Sequence, residues 1–230
     1  MASTRRSHFD PRGAWFLSVA YLLVGPLSSA SAGDLEFWPS IEYTLLERGQ
    51  LRWRLEGSGR LNDGIQHLYD RRLSGTVEAT LKRDIEVAGE YVLRSSEFPG
   101  FGFQVDHRLV GGVSFPLWQG QTSVTAAVLY ERHLGRPDIE DFSRYRQRIE
   151  IERGRRKLAP FLYEDLTFQQ REGFVRSRSR AGLRWQFSSG RSLAVSYQFE
   201  AIKQQAAWRP RHAIVTALDI GRARSGNPNP

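Results

Sequence analysis

Apolar and charged residues alternate strictly over long stretches of this chain. Between Leu51 and Leu61, every odd-numbered residue is Leu, Trp or Gly, and every even-numbered residue is Arg, Glu or Ser. A two-residue period is typical of a β-strand with one apolar and one polar face. Residues 72–82 and 85–94 repeat the pattern, and Arg83-Asp84 between them predicts a hairpin turn. The sequence therefore predicts an all-β fold.

The same reading along the chain gives about eleven strand-like segments, near the ten-residue length of barrel strands. The face assignment of residues 158–168 is ambiguous. The segments are 35–46, 50–61, 72–82, 85–94, 104–117, 122–132, 142–153, 158–168, 176–187, 192–200 and 212–220.

The connections between these segments alternate in length. Short ones lie at 47–49, 83–84, 119–120, 154–155 and 189–190, and longer ones at 62–71, 95–103, 133–141, 169–175 and 201–210. Short turns on one rim and longer loops on the other are typical of outer-membrane barrels. We therefore expect an antiparallel up-and-down transmembrane β-barrel of about 10–12 strands.

A soluble periplasmic β-barrel binding protein is the alternative fold, with its apolar face turned inward. Three features favour the membrane barrel: the number of strands, the aromatic residues near strand ends, and glycines on the apolar face, which are costly in a soluble core. Strict alternation places His107 and Arg132 on the outward face, which is acceptable only near a membrane interface.

Residues 1–32 have the pattern of a signal peptide. Arg5, Arg6 and Arg12 precede an apolar run at 14–24, and Ala30-Ser31-Ala32 supplies the small residues of a cleavage site. The run is too short for a spanning helix, and a twin-arginine route is a weaker alternative. We expect a signal peptide at 1–32, a barrel at 33–220 and a flexible tail at 221–230, in the bacterial outer membrane.

The composition excludes several function classes. The chain has no Cys, which excludes disulfides and Cys-ligated metal sites. A mean hydropathy of −0.47 argues against a polytopic helical membrane protein. The net charge of +8 raises nucleic acid as a partner. However, the Arg residues alternate with Glu and form no continuous basic patch, so we expect no nucleic-acid binding.

Eleven segments leave the two termini on opposite rims, whereas single-chain bacterial barrels usually have an even number of strands. Two explanations stay open: a missed strand in residues 95–103, or a partly luminal position for residues 35–46.

Several short sequences also carry a family resemblance. They are Phe37-Trp38-Pro39-Ser40, Arg144-Tyr145-Arg146-Gln147-Arg148, residues 158–165, residues 178–183, residues 193–198 and His212. In this order they resemble the domain-of-unknown-function 2490 family of bacterial outer-membrane barrels, over about residues 35–220. The resemblance implies an outer-membrane barrel and supplies no activity or catalytic residues. Unlike barrels that end in an aromatic strand, this chain continues through 221–230.

In a barrel, the charged face of each strand lines the lumen. We predict a luminal charged network of Arg52, Arg54, Glu56, Glu78, Glu90, Arg144, Arg146, Arg148, Glu150, Glu152, Arg178, Arg180 and Arg184. Buried charges need partners, so the network either fills the lumen as ion pairs or lines a narrow porin-like channel. The expected partners are outer-membrane lipid and the outer-membrane assembly machinery, and the oligomeric state stays open.

The sequence predicts no catalytic residue, cofactor or metal site. A lipid-modifying hydrolase is the alternative function, and it needs a Ser–His pair at the lipid interface. No Ser lies two residues after any of His67, His107, His133 or His212. His67 and His133 are predicted in or near loops. The acidic residues Glu150, Glu152 and Glu164 are expected to be ion-paired rather than catalytic.

Overall fold

The computed structural model describes residues 35–62, 66–98, 100–134, 142–154, 157–188, 190–204 and 207–221. The predicted signal peptide at 1–32 and nearly all of the predicted tail at 221–230 lie outside the described residues. No helix in the described part is long and apolar enough to cross a membrane.

Eleven strands form one closed barrel in simple up-and-down order. This confirms the predicted all-β barrel of 10–12 strands. The strands are β1 (Leu35–Arg48), β2 (Leu51–Asn62), β3 (His67–Thr80), β4 (Glu86–Phe98), β5 (Gly102–Trp118), β6 (Thr122–Leu134), β7 (Phe142–Arg153), β8 (Leu158–Gln169), β9 (Gly173–Ser188), β10 (Arg191–Gln204) and β11 (Ala207–Ile220).

The barrel closes through a parallel pair between its first and last strands. β1 pairs with β11 from Leu35 opposite His212 to Tyr43 opposite Ile220, and the other ten pairs are antiparallel. An odd number of antiparallel strands leaves the first and last strands pointing the same way, so closure requires a parallel pair. Both explanations offered for the odd count are therefore wrong, because residues 35–46 belong to the wall.

The two ends of the barrel are named here by the direction of β1. Rim A is the end at which β1 and β11 begin, and rim B is the end at which both finish. Strands β2, β4, β6, β8 and β10 end at rim A, where the following strand begins. Strands β1, β3, β5, β7 and β9 end at rim B, where the following strand likewise begins.

The predicted contrast between short and long connections is largely wrong. Strands extend through most of the sequence that was expected to form long loops at rim A, including residues 67–71 and 207–210. Residues 95–103 contain the end of β4, the start of β5 and the turn between them. By the strand bounds, 2–4 residues separate consecutive strands at rim A, except for the seven between β6 and β7, and 2–5 separate them at rim B.

Residues Lys82–Asp84 form a 3₁₀ turn between β3 and β4. Arg83 and Asp84 have positive φ angles of 61° and 56°, so the predicted hairpin turn lies where the sequence placed it. Lys82 belongs to this exposed turn at rim B, whereas strict alternation had assigned it to the polar face of a strand.

The apolar side chains point away from the lumen. The large exposed residues away from the strand ends include Ile41, Leu55, Leu73, Val77, Leu93, Leu109, Val113, Val128, Ile149, Leu183 and Val195. The inner face carries most of the charged side chains. This is the reverse of the arrangement in soluble β-barrels, which bury their apolar face.

Candidate functional site

Inside the barrel, buried ion pairs lie near rim A and a cavity lies near rim B. We call the ion-paired region the plug and define it by its four carboxylate centres, Asp70, Glu131, Asp165 and Glu200, with the arginines that bind them. All four carboxylates are buried and lie within four residues of a strand end at rim A. The cavity is called the vestibule.

Asp165 on β8 is the most buried centre of the plug, with no exposed surface. Arg146 on β7 donates to it at 2.6 Å, and the Tyr163 hydroxyl donates at 3.0 Å. Arg148 reaches the same carboxylate at 3.4 Å. Because hydrogen bonds to an ionised group are about twice as strong as neutral ones, this cluster ties β7 to β8 firmly.

Glu200 on β10 is the second centre. Arg178 donates to it at 2.7 Å, and Arg176 lies at 3.8 Å from the same oxygen. The Arg178 guanidinium also lies 5.7 Å from the ring of Trp38. Arg60 from β2 packs on the same ring at 4.0 Å. Trp38 therefore joins two arginines from distant strands across the lumen.

Trp38 fits inside the barrel because the residues beside it on β11 are smaller. It packs in a buried cluster with Ala213 and Val215. Its indole nitrogen donates to Glu36 at 2.7 Å, so the buried polar atom is satisfied.

Asp70 and Glu131 complete the plug. Arg94 and Ser96 of β4 donate to Asp70 at 2.6 Å and 2.8 Å. Arg108 donates to Glu131 at 3.2 Å. His133 contacts the same carboxylate at 3.1 Å and stacks on Phe142. His133 lies one residue before the end of β6, near a connection as predicted, but it is buried on the inner face rather than solvated.

The vestibule has a volume of about 670 Å³ and reaches rim B. Its lining includes Glu86, Ser123 and Glu152, which lie at or next to strand ends at that rim. Its inner boundary includes Arg146, Arg178 and Tyr163, which contact the plug.

Charge is not evenly distributed around the vestibule. The wall formed by β1–β4, called the acidic wall, contributes Glu42, Glu56, Glu78, Glu86 and Glu90 against Arg54 and Arg72. The wall formed by β7–β9, called the basic wall, contributes Arg146, Arg148, Arg178, Arg180 and Arg184 against Glu150 and Glu152. The lining residues of β5, β6, β10 and β11 are uncharged. Because the strands run in sequence order around the barrel, the two charged walls face each other.

Most of the predicted charged residues lie in or beside the vestibule. Its lining contains Arg54, Glu56, Glu78, Glu90, Arg146, Arg148, Glu150, Glu152, Arg178, Arg180 and Arg184. Arg52 lies near rim B, 3.5 Å from Glu47 and 3.7 Å from Glu78. Arg144 lies near rim A, where it donates to Gln169 at 3.0 Å.

Within the acidic wall, Arg54 bridges glutamates of its two neighbouring strands, and Arg72 binds one glutamate of β4. Arg54 donates to Glu42 at 2.7 Å and also binds Glu78, and Arg72 donates to Glu90 at 2.5 Å. In the basic wall, Arg184 is bound by Glu152 and lies 3.6 Å from Glu150.

Sequence reasoning missed two of the four plug centres, Asp70 and Asp165. Alternation puts Glu131 and Glu200 on the charged face, but Asp70 falls in the predicted connection at 62–71 and the faces of residues 158–168 are ambiguous. Tyr163 and Trp38 also lie on the inner face, and neither is among the predicted luminal residues. The sequence of β8 contained the available signal. Its inward positions are the odd-numbered residues from 159 to 167, and they include Tyr163, Asp165 and Thr167, all of which are buried.

Glu164 lies on the outer face of β8, not with Glu150 and Glu152 on the inner face. It accepts hydrogen bonds from Ser177 at 2.9 Å and Ser179 at 2.5 Å, both from β9. The expected ion pairing of this residue is therefore wrong, because the two hydroxyls are its bonded partners.

The four described histidines are bound to acidic or phenolic side chains. His67 contacts Glu97, His107 contacts Tyr91 and His212 contacts Tyr197, whereas His133 contacts Glu131 as described above. His107 lies five residues from the start of β5 at rim A, consistent with a position near the edge of the apolar surface. No group of three metal-ligating side chains occurs among the residues that the structure describes.

The outer surface carries aromatic side chains near both rims. Near rim B these are Trp53, Trp118, Trp185 and Phe187, and near rim A they are Phe103, Phe168, Phe174 and Trp208. Phe174 packs against both Phe168 and Trp208. The apolar surface of the barrel is thus bordered by aromatic residues at both ends.

Comparison with known proteins gives a distant structural similarity. No protein-family model matches the chain, and no curated protein matches it in sequence. Among solved structures, the chain is similar to the β-domain of the Bordetella autotransporter BrkA. The identity is 12% and the TM-score is 0.41, over 73% of this chain and 81% of that domain.

Proposed function

We propose that this chain is a bacterial outer-membrane β-barrel protein with a blind lumen: a vestibule reached from rim B and a plug of ion pairs toward rim A. The observation that carries the proposal is the apolar outer surface between two borders of aromatic residues. In a membrane barrel, an apolar band faces lipid and aromatic residues lie at its two interfaces. A charged interior in a closed barrel agrees with this, because no strand edge is left unpaired in lipid.

The membrane location is tested by fractionation and by heat modifiability. We expect the protein in the outer-membrane fraction, resistant to carbonate extraction. The unboiled sample should migrate differently from the boiled one in a denaturing gel. Extraction by carbonate without a mobility shift on boiling would contradict the proposal.

A structural barrel without conductance is the role that the plug favours. Four buried carboxylates, each bound by arginine, lie on the inner face of the barrel near rim A. In a planar lipid bilayer we therefore expect the purified barrel to insert without conductance steps. Steady channel openings in the unmodified protein would contradict a closed lumen.

A narrow porin-like channel is the second candidate. The observation that favours it is that the described plug consists of side chains on the barrel wall, and long Arg side chains can move without unfolding a strand. In this role the plug is a gate and the vestibule is the mouth of the channel.

The two other functions predicted as alternatives have less support. A soluble periplasmic barrel would bury its apolar face, and the described barrel carries that face outside. A lipid hydrolase needs a Ser next to a His, whereas each described histidine contacts a Glu or Tyr side chain. The resemblance to the domain-of-unknown-function 2490 family stays a prediction.

A further inference from the structure

The vestibule holds two cationic groups whose charge is not fully balanced. On the basic wall, Arg146 and Arg178 are bound by the plug carboxylates Asp165 and Glu200. Arg184 is bound by Glu152 and lies near Glu150. Arg148 and Arg180 are left with weaker partners.

Arg148 and Arg180 converge on one tyrosine. Their guanidinium carbons lie 4.9 Å and 5.3 Å from the centre of the Tyr163 ring. Arg180 donates to Gln198, a neutral amide, at 2.7 Å. Arg148 only shares Asp165, at 3.4 Å, and its buried Nε has no acceptor among the described residues. Two guanidinium groups with spare donors, held against one ring, form a site for a carboxylate.

The opposite wall offers the complementary charge. Glu56 lines the acidic wall, and the described residues provide it with no ion-pair partner within 4 Å. Its neighbours Arg54 and Arg72 are bound to Glu42, Glu78 and Glu90. A cation near Glu56 would therefore meet a carboxylate that forms no ion pair with a described residue.

The distance between the walls sets the size of the ligand. Eleven strands spaced about 4.8 Å apart and tilted by about 40° give a backbone diameter of roughly 22 Å. Arg and Glu side chains from opposite walls take up about half of this. An extended tripeptide separates its terminal charges by roughly 10 Å, and its volume is well within the 670 Å³ of the vestibule.

We propose that the vestibule binds a short zwitterionic peptide, with its carboxylate at Arg148 and Arg180 and its ammonium group at Glu56. The uncharged sectors of β5–β6 and β10–β11 lie between the two charged walls, so the ligand is oriented across the lumen. This site does not depend on the membrane location, because it is formed entirely inside the barrel.

The test uses three probes that differ only in their terminal charges. Triglycine carries both charges, N-acetyl-triglycine only the negative one, and triglycine amide only the positive one. In calorimetric titration of the detergent-solubilised barrel, we expect triglycine to bind about ten-fold more tightly than either capped form. Equal binding of the three, or no saturable binding of triglycine, would overturn the proposal without requiring any variant.

Two variants then test which wall binds the carboxylate and which binds the ammonium group of the peptide. Arg148→Gln with Arg180→Gln should weaken triglycine and N-acetyl-triglycine about ten-fold and leave triglycine amide unchanged. Glu56→Gln should weaken triglycine and the amide, and leave the acetylated peptide unchanged. Arg71→Gln is the matched control, since Arg71 packs on Phe103 at the outer surface near rim A. Equal losses for all three probes in either variant would contradict the assigned orientation.

Discussion

Arg146 donates two hydrogen bonds to Asp165, at 2.6 Å and 3.2 Å, and the carboxylate that accepts them has no exposed surface. This bidentate pair links β7 to β8 inside the lumen. Arg148 and Tyr163 also contact the same carboxylate. The pair is therefore the centre around which the basic side of the plug is organised.

Removing the charge of Asp165 should strongly destabilise the barrel. Asp165→Asn leaves the partly buried Arg146 without its main counter-ion, and breaking a buried ion pair from one side costs about 3–5 kcal/mol. We expect a loss of that size in the free energy of unfolding, measured by tryptophan fluorescence in urea with detergent-folded protein. Glu150→Gln is the control, because Glu150 is more exposed at the vestibule and should cost under about 1 kcal/mol. Equal losses would contradict the central role of Asp165.

Shortening both members of a plug pair should open the lumen. Arg178→Ala with Glu200→Ala removes both members of this ion pair together, so neither charged side chain is left without the other. We expect conductance steps in a planar bilayer that the unmodified protein lacks.

The matched control for this double variant is Arg184→Ala with Glu152→Ala, an ion pair of the vestibule near rim B. This control variant should show no conductance steps, because its plug is intact. Conductance steps from both double variants would show that the plug is not the barrier to ion flow. If neither double variant conducts, the barrier lies elsewhere in the lumen.

A positive charge should be tolerated on one face of β5 and not on the other. Leu109 is 49% exposed on the outer surface, and Ser114 lines the vestibule. An outward Arg in a membrane barrel costs about 2–4 kcal/mol near mid-depth. Leu109→Arg should therefore lower the yield of heat-modifiable barrel in membranes, while Ser114→Arg should leave most of it. The opposite order would contradict the assignment of apolar residues to lipid.

Alternation predicted the strands well where one face is apolar throughout. β2 lies at Leu51–Asn62, close to the predicted 50–61, because its Leu, Trp and Gly residues all point outward. The prediction failed near rim A, where the plug places charges on strands that also carry polar residues outside. Asp70-Arg71-Arg72 has charge on both faces, so the start of β3 resembles a loop.

Two other features depend on contacts that no local pattern contains. β8 carries Glu164 outside and Tyr163 and Asp165 inside, so neither of its faces is uniformly apolar. The pairing of β1 with β11 joins residues at opposite ends of the barrel sequence. The two-residue period of a strand predicts which residues share a face. It does not predict that the first strand pairs with the last one to close the barrel. The thirteen predicted charged residues follow from alternation, whereas the partners that organise them required the three-dimensional register.

Close packing of β9 on β10 should make Gly182 sensitive to substitution. A Cβ atom at this position would lie 2.5 Å from the Cβ of Ser196 and 2.7 Å from its Cα, and would also meet the carbonyl oxygen of Val195. These are backbone or near-backbone atoms, so the strands would have to move apart. Overpacking of this kind costs about 1–3 kcal/mol, and we expect Gly182→Ala to lower the free energy of unfolding by that amount in detergent.

Gly89→Ala is the matched control for this substitution. It lies on β4, and a Cβ there meets no atom within 4 Å. Because Ala loses less backbone entropy than Gly on folding, Gly89→Ala should be neutral or stabilising by up to about 1 kcal/mol. A Gly182→Ala variant as stable as Gly89→Ala would mean that β9 and β10 approach each other less closely than the 2.7 Å contact requires.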